Sequence, residues 1–552
     1  MNLQINSLLQ GAIQNFKINK FVEAKVLLSK ILDTEPQNFD ALYIMGVIFG
    51  KNNNHIEALK FFKKAQKIRP NNNLINFNLA KAFSEIGNDL EAIKYYKIAI
   101  RLDKNHLGSW LNFGKSLYEL KRYKEALFHY DQAIKLKPDF VEAHNNKAVA
   151  LNNLKRYDDA LFHYDQAIKL KPDFVDAHNN KGITLNNLKR YDDALFHYDQ
   201  AIKLDPNYYK AHNNKGTTFN DLKRYDDALF HYDQAIKLKP DFVDAYFNKA
   251  LTKLTLGDFE EGWKLHQYRW KMSSKQYRHS NSKLLEDISN VKNKKVLVWH
   301  EQGLGDTVMF SRYVPKLVDL GAIVVFEVQE DLKLFFKNQF NCEINNEVSA
   351  KEFFDFQVPL LDLPKLFNTS TKTIPYNRPY LSVQDKKKEW KEKLQLSKNR
   401  LNIGISVSGQ TNHKRNHIRS LSLKTMEPIL QEANFFLIQK ELNDEDKKFL
   451  NNHKKINFLG DEINNFLDTA AIVSNMDLII SIDTSLIHLA GAIGKKSFLM
   501  LSYSADWRWL LNQNKTPWYE NIKIFRQDSI GNWDFVINQI QDEFNKLKIN
   551  KI

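Results

Sequence analysis

At 552 residues the chain exceeds what one hydrophobic core supports, since single cores stop growing near ~250–300 residues, so at least two domains are expected. With 43% hydrophobic and 26% charged residues it reads as a soluble globular protein, and no apolar run approaches the roughly 18 residues of a spanning helix, so no transmembrane segment is expected. The net charge of +15 comes from Lys and Arg spread among nearly as many acids, without an Arg-rich or aromatic-interleaved block; nucleic acid is therefore not an expected partner, while an anionic small molecule or a peripheral membrane contact stays open.

The opening segment MNLQINSLLQGAIQNFKINK lacks the basic start and unbroken apolar core of a secretion signal. One cysteine, Cys342, allows neither an internal disulfide nor a multi-thiolate metal site. A reducing, cytoplasmic setting is expected.

From the N-terminus the dominant signal is self-similarity. The phrase KRYDDALFHYDQAIKLKPDFVDAHNNKGITLNNL recurs with few changes, and Pro138, Pro172, Pro206 and Pro240 stand 34 residues apart. Each unit carries a small residue in a first helix, then alanine, an aromatic and alanine in a second, as in Gly182, Ala194, Tyr198 and Ala201. Small residues let two helices approach, the aromatic fills the gap, and proline ends the pair. This set resembles the tetratricopeptide consensus, and less regular units extend it backward to Ala12 and forward to Ala250 and an atypical GDFEEGWKLHQYRW segment. The reading is an α-solenoid over 1–271, about eight repeats, followed by a linker over 272–293.

Asn78, Asn112, Asn146, Asn180, Asn214 and Asn248 recur at one first-helix position, which lines the concave surface of such arrays. Side-chain amides both donate and accept, so this file suits the backbone of an extended protein or peptide partner. It resembles the asparagine ladder in the superhelix of the O-GlcNAc transferases, although copied repeats copy an asparagine regardless. A second file, His129, His163, His197 and His231, does not suggest a metal, because helices ~8–10 Å apart keep neighbouring imidazoles from sharing one ion.

Beyond residue 294 the rhythm changes to short apolar runs between amphipathic stretches, the pattern of parallel sheets covered by helices. Strands are predicted at 295–300, 322–328, 354–360, 402–408, 434–440, 456–460, 477–483, 497–502 and 522–527, divided into lobes 294–385 and 400–545. Three strand ends carry polar chemistry. VLVWH runs into EQGLGDTVMF, where Gly303 and Gly305 suit a tight turn and Asp306 opens a helix, with capping as its plain alternative. NIGISVSGQTNHKRNHIRSLSL sets Ser408, Thr411, Lys414, Arg415 and Arg419 in a polar loop, where the cations could neutralise a leaving phosphate unless the loop is only solvated. DLIISID is followed by Asp483, Thr484, Ser485 and His488 at a helix N-terminus, which suits an anion unless these residues only cap it.

Together, HEQGLGDTVMFSRYVPKL, the loop ending IRSLSL, SIDTSLIHLAGAIGKK and the tail DWRWLLNQNKTPWYENIKIFRQ resemble the heptosyltransferase-like glycosyltransferases, family 9-like, in the branch where tetratricopeptide repeats precede the domain. The resemblance implies a GT-B fold of two Rossmann-like lobes. It implies a nucleotide-diphosphate sugar as co-substrate and no cofactor. Asp306 would act as general base, Asp483, Thr484, Ser485 and His488 would hold the donor, Arg419 would face the diphosphate, and Glu441 would hold the ribose. Gly303, Gly305, Ser408 and Lys414 would lie in the donor or acceptor cleft. Transfer would be inverting and metal-independent, to a protein or glycan/lipid-carrier acceptor recruited by the repeats. The D-x-D spelling at Asp444–Asp446 is read as surface. A non-catalytic scaffold with a degenerate domain and a nucleotide-sugar sensor are the alternatives.

Overall fold

The computed structural model describes residues 2–272, 281–349, 352–376, 378–409, 416–453, 455–511 and 513–549. It divides into two compact units, Met1–Thr218 and Phe219–Ile552.

The first unit is a succession of antiparallel helix pairs, among them Phe39–Lys51 with His55–Ile68, Leu107–Glu119 with Tyr123–Leu136, and Val175–Asn187 with Tyr191–Leu204. The alternation of small and aromatic residues explains the pairing. Ala58, Ala92, Ala126, Ala160 and Ala194 are fully buried. A β-carbon on Gly114 would stand 2.4 Å from the Tyr130 ring, and one on Gly182 2.6 Å from Tyr198. The first helix therefore stays small wherever the second inserts its ring. Between helices the chain turns through one left-handed residue, Lys121, Lys155 or Lys189 at φ 59–61°, where glycine would carry less steric cost.

The second unit contains the last helical pair, Val243–Thr255 and Phe259–His266, and, among the described residues, twelve strands: β1 Lys283–Leu284, β2 Lys295–Trp299, β3 Ile323–Glu327, β4 Glu343–Asn345, β5 Phe356–Pro359, β6 Asn402–Ser406, β7 Asn434–Leu437, β8 Ile456–Phe458, β9 Leu478–Ile482, β10 Ser497–Leu501, β11 Lys515–Thr516 and β12 Tyr519–Arg526. The first sheet has the order β1-β5-β2-β3-β4 and the second β11-β12-β10-β9-β6-β7-β8. All pairs are parallel except β11 with β12. The central runs Val296–Trp299 and Leu478–Ile482 are buried, as expected where helices cover both faces.

All nine predicted strands are present, and β1, β4 and β11 add to them. Part of the expected linker is structural: Lys283 and Leu284 pair with Phe356 and Gln357, and Leu285 and Val291 are buried in the core. The end of the expected first lobe also reaches the second sheet's side, where Tyr380 and Leu381 both donate backbone N–H to Ala492 O at 3.0 and 3.1 Å.

The last helical pair shares its core with the sheets. Phe259 and Trp263 are 2% exposed, and Trp263 meets Trp507 and Phe310 edge-on at 5.3 and 6.2 Å. Just after that helix, fully buried Arg269 donates to Glu301 at 2.6 and 2.8 Å and to Asp362 at 2.5 Å. Burial raises the Asp362 carboxyl above its ordinary range, against the pull of Arg269. An ion cluster this buried tolerates loss of none of its three charges.

Candidate functional site

Two strand-to-helix turns meet in the second unit. β2 runs through a short loop into the helix Leu304–Phe310, and β9 runs through Asp483 and Thr484 into Ser485–Ala492. Neither Gly303 nor Gly305 takes a left-handed φ. Gly303 is extended at φ −73°, ψ 170°, and Gly305 is small for a different reason than the expected tight turn. A β-carbon there would lie 2.9 Å from His488 Cδ2 and 3.3 Å from Ser485 Cα, so it is the close approach of the two helices that demands glycine.

The turns open onto a cleft of about 640 Å³. Gly303, Gly305 and Asp306 line it from the first sheet's side; Ser408, Arg419, Glu441, Asp483, Thr484, Ser485 and His488 line it from the second's. Lys414, with Thr411 and Arg415, lies outside the described residues.

Asp306 Oδ2 accepts the Gly303 N–H at 3.2 Å, so its plain role as a cap is realised. Its other oxygen accepts from Arg508 Nη2. Burial raises the Asp306 carboxyl, the Arg508 charge opposes this, and Asp506 adds to it. Arg508 also holds Asp506 Oδ1 through Nη1 at 2.7 Å. The capping alternative fails at the second turn: Thr484 stands at the N-cap, yet no side chain caps that helix, and the Thr484 hydroxyl lies 3.2 Å from Ser481 Oγ instead. Asp483 is pushed up to about 6, chiefly by burial and then by the Asp506 charge. Arg419 Nη1 donates to the Asp483 carbonyl at 2.8 Å, which fixes the guanidinium beside this turn.

His488 is drawn down to about 3 by burial and the nearby Arg508 charge, so its imidazole is neutral. Its 3.8 Å approach to Asp483 is therefore not an ion pair. Nδ1 lies 3.1 Å from Tyr519 Oη and the ring stacks on Trp509 at 5.2 Å. Ser408 meets the Gln439 amide, which accepts from Ser408 N at 3.2 Å and donates to its hydroxyl at 3.1 Å. Asp446 is fully buried and accepts the Leu423 N–H at 2.8 Å, which overturns its reading as a surface acid.

Arg508, Asp506 and Gln439 also line the cleft. Spacing does not distinguish them; the one signal is the DWRW run inside the resembling tail. Fully buried Arg312 is also silent in the sequence. It donates to Met309 O at 2.8 Å, Trp518 O at 2.9 Å and Tyr380 Oη at 3.2 Å, clamping the Asp306 helix to the segment before β12. Among the described residues no group of three or more His, Cys, Asp or Glu is placed to hold a metal ion.

The asparagine file is engaged with its own repeats. Asn214 donates to Asn179 at 2.9 Å, Asn179 to Asn180 at 3.2 Å, Asn180 to Asn145 at 3.2 Å and Asn145 to Asn146 at 3.3 Å, while Asn78 donates to Tyr43 Oη at 2.9 Å. Asn180 and Asn214 thus each spend one donor hydrogen on the preceding repeat. Asn112 and Asn248 occupy the same half-buried position in their helices. In the histidine file, His163 and His197 pair through Nδ1 with His144 and His178 of the same helix pairs, at 3.0 and 3.2 Å.

Family models for the tetratricopeptide repeat match residues 39–72, 75–106, 141–174, 175–208 and 209–242, and one for the TPR repeat matches 114–155. The helical pairs between residues 39 and 242 are thus tetratricopeptide repeats, and the chain continues into an α/β region of largely parallel sheets. Protein FlbA of Caulobacter vibrioides is 22% identical over 317 residues, 52% of this chain and 52% of its own length, so the chain spans about half of that relative. Among solved structures, YrrB, a TPR protein with an unusual peptide-binding site, is 24% identical over 34% of this chain and 98% of its own (TM-score 0.28). A tetratricopeptide repeat protein from Parabacteroides merdae is 16% identical over 45% and 99% (TM-score 0.41), and yeast Tom70 is 20% identical over 47% and 56% (TM-score 0.38). Among the described residues no helix is long and apolar enough to cross a membrane.

Proposed function

We propose that the second unit is a glycosyltransferase of GT-B architecture that moves a sugar from a nucleotide-diphosphate donor to an acceptor recruited by the repeats in the cytoplasm. The observation that supports this reading most is convergence: Asp306 from one sheet and Asp483, Thr484, Ser485 and Arg419 from the other line a single cleft. The donor's diphosphate would lie against the N-terminus of Ser485–Ala492, where backbone N–H groups and Arg419 meet negative charge as it develops on the leaving group. Asp306 would take the acceptor proton, and a carboxyl whose affinity for protons is raised by burial suits that task. For this to happen Arg508 must release Asp306, keeping Asp506 or turning to the donor itself. Acceptor attack opposite the leaving nucleotide would invert the anomeric carbon.

A second reading, a scaffold or sensor without turnover, draws on that same contact, because a carboxylate held by Arg508 is a weaker base. A thermal-shift panel of ADP-, GDP- and UDP-sugars on the full chain tests the proposal. Donor at ~100 times Kd adds ~2.7 kcal/mol of stability. Absence of any shift removes the transferase and the sensor together and leaves the scaffold.

A further inference from the structure

In the regular repeats a polar bridge joins each second helix to the following first helix. Lys147 Nζ lies 2.6 Å from Asp131, and Lys181–Asp165 and Lys215–Asp199 repeat the contact at 2.5 Å. One period earlier the two positions are Phe113 and Lys97. A ring replaces the ammonium and a cation replaces the carboxylate, so the bridge cannot form. The position held by His144 and His178 is Trp110 here. In consequence His129 Nδ1, unlike Nδ1 of His163 and His197, is buried without a hydrogen-bond partner among the described residues.

A cavity of about 470 Å³ opens at this junction, between the second helices Asp89–Leu102 and Tyr123–Leu136, and it contains none of the asparagine file. Two periods further on the equivalent space, around Lys181 and Asp165, is about 300 Å³. Trp110, Phe113 and Phe128 wall the larger cavity, with Phe128 55% exposed and 6.2 Å from Trp110. Lys97, Arg101 and Lys104 line its rim, exposed and in no ion pair among the described residues; the lining also holds Arg122 and Glu125, which pair with each other at 2.6 Å.

An apolar hole with unpaired cations along one edge fits a bulky side chain flanked by carboxylates. We infer that this pocket docks an acidic peptide segment of a partner protein, seated by one aromatic or large aliphatic side chain. Lys97 and Arg101 stand about one helical turn apart, roughly 6 Å at ~1.5 Å per residue, and Lys104 follows two residues past the end of that helix at Leu102. The first two alone match about two residues of extended chain rather than a single carboxylate. A second copy of the chain is a poorer occupant, because at net charge +15 it brings more cations than acids.

Fluorescence polarisation on the full chain, with a fluorescein-labelled EDEFDEE peptide as probe, tests this. Binding is expected, and replacing the probe's phenylalanine with alanine should weaken it by ~tenfold or more, as loss of a central anchor does. K97D/F113K rebuilds the bridge that the four following repeats carry and should abolish binding. R101E/K104E alters only exposed side chains and should weaken binding ~tenfold even if the first variant folds poorly. Equal affinity for the alanine probe, or unchanged affinity in R101E/K104E, overturns the proposal. So does quenching of tryptophan fluorescence by dodecanoate, reversed by K97D/F113K, in the absence of peptide binding, which would assign the pocket to an amphiphile. Self-association on sedimentation that K97D/F113K removes would assign it to a second copy and overturn it equally.

Discussion

Arg508, on the turn after β10, donates through Nη2 to Asp306, on the first turn of the helix after β2, so the expected base is held by a cation from the other sheet. Through Nη1 the same guanidinium holds Asp506, and it lies close enough to lower the proton affinity of Asp483. One cation therefore balances three carboxyl groups around the cleft, and its position governs the charge available to a ligand.

Asp306→Asn should separate binding from chemistry. The amide oxygen still accepts the Gly303 N–H, so the helix start survives, while the proton acceptor is gone. Donor stabilisation in a thermal shift should persist, and sugar transfer should fall by ~10²–10⁴, the usual worth of a general base. Undiminished transfer would remove Asp306 from the mechanism.

Arg508→Gln should be costly to the fold, because it leaves the part-buried Asp306 and Asp506, 17% and 28% exposed, without their cation. Breaking a fully buried pair from one side costs on the order of 3–5 kcal/mol, and this part-exposed pair should cost less than that, readable as a lower urea midpoint. The double variant D306N/R508Q should lose less than the two singles added together, since each removes the other's uncompensated partner. Strict additivity would mean the two groups do not interact in solution.

Most of this framework is legible in the sequence because its signals are local. The 34-residue period shows the helical pairs, and the buried apolar runs show nine strands. β1 and β11, two residues each, are too short for any periodicity. What joins distant segments leaves no local trace: Arg508 and Asp306 are 202 positions apart, and Arg312 reaches the carbonyl of Trp518. Gly305 shows both limits, since the motif marks it as special but only the opposing helix shows why. The asparagine file is visible as a file, yet the hydrogen bonds that engage it run to neighbours such as Asn145 and Asn179.

Asp483 should make stability and donor affinity fall as pH rises through the mildly acidic range. Its folded-state proton affinity, near pH 6, exceeds the ordinary carboxyl value near 4. Between about pH 4 and 6 the folded chain therefore binds more protons than the unfolded one, and stability drops with pH in that window. Two units correspond to roughly 2–3 kcal/mol lost by pH 7. Asp483→Asn should flatten the slope and raise the urea midpoint at pH 7.5 but not at pH 4. Nucleoside diphosphate should also bind the native chain more tightly at pH 5.5 than at 7.5, because the ionised carboxylate repels it. An unchanged slope in the variant would assign the pH dependence to another group.

The last helical pair belongs to the folding unit of the sheets, which sets where the chain can be cut. Trp263 fills a space among Phe310, Trp507 and Phe259, and Arg269 neutralises Glu301 and Asp362 from the same segment. A fragment beginning at residue 290 would expose that aromatic surface and leave two buried carboxylates without their cation. It should aggregate or lack a cooperative melt by circular dichroism, whereas one beginning at residue 219 should melt cooperatively. In the full chain Trp263→Ala should cost about 3–5 kcal/mol, the range for emptying a large aromatic site. Because Trp507 adjoins Arg508, the same variant should weaken donor stabilisation as well. A cooperative melt from the shorter fragment would show that the sheets fold without the repeat.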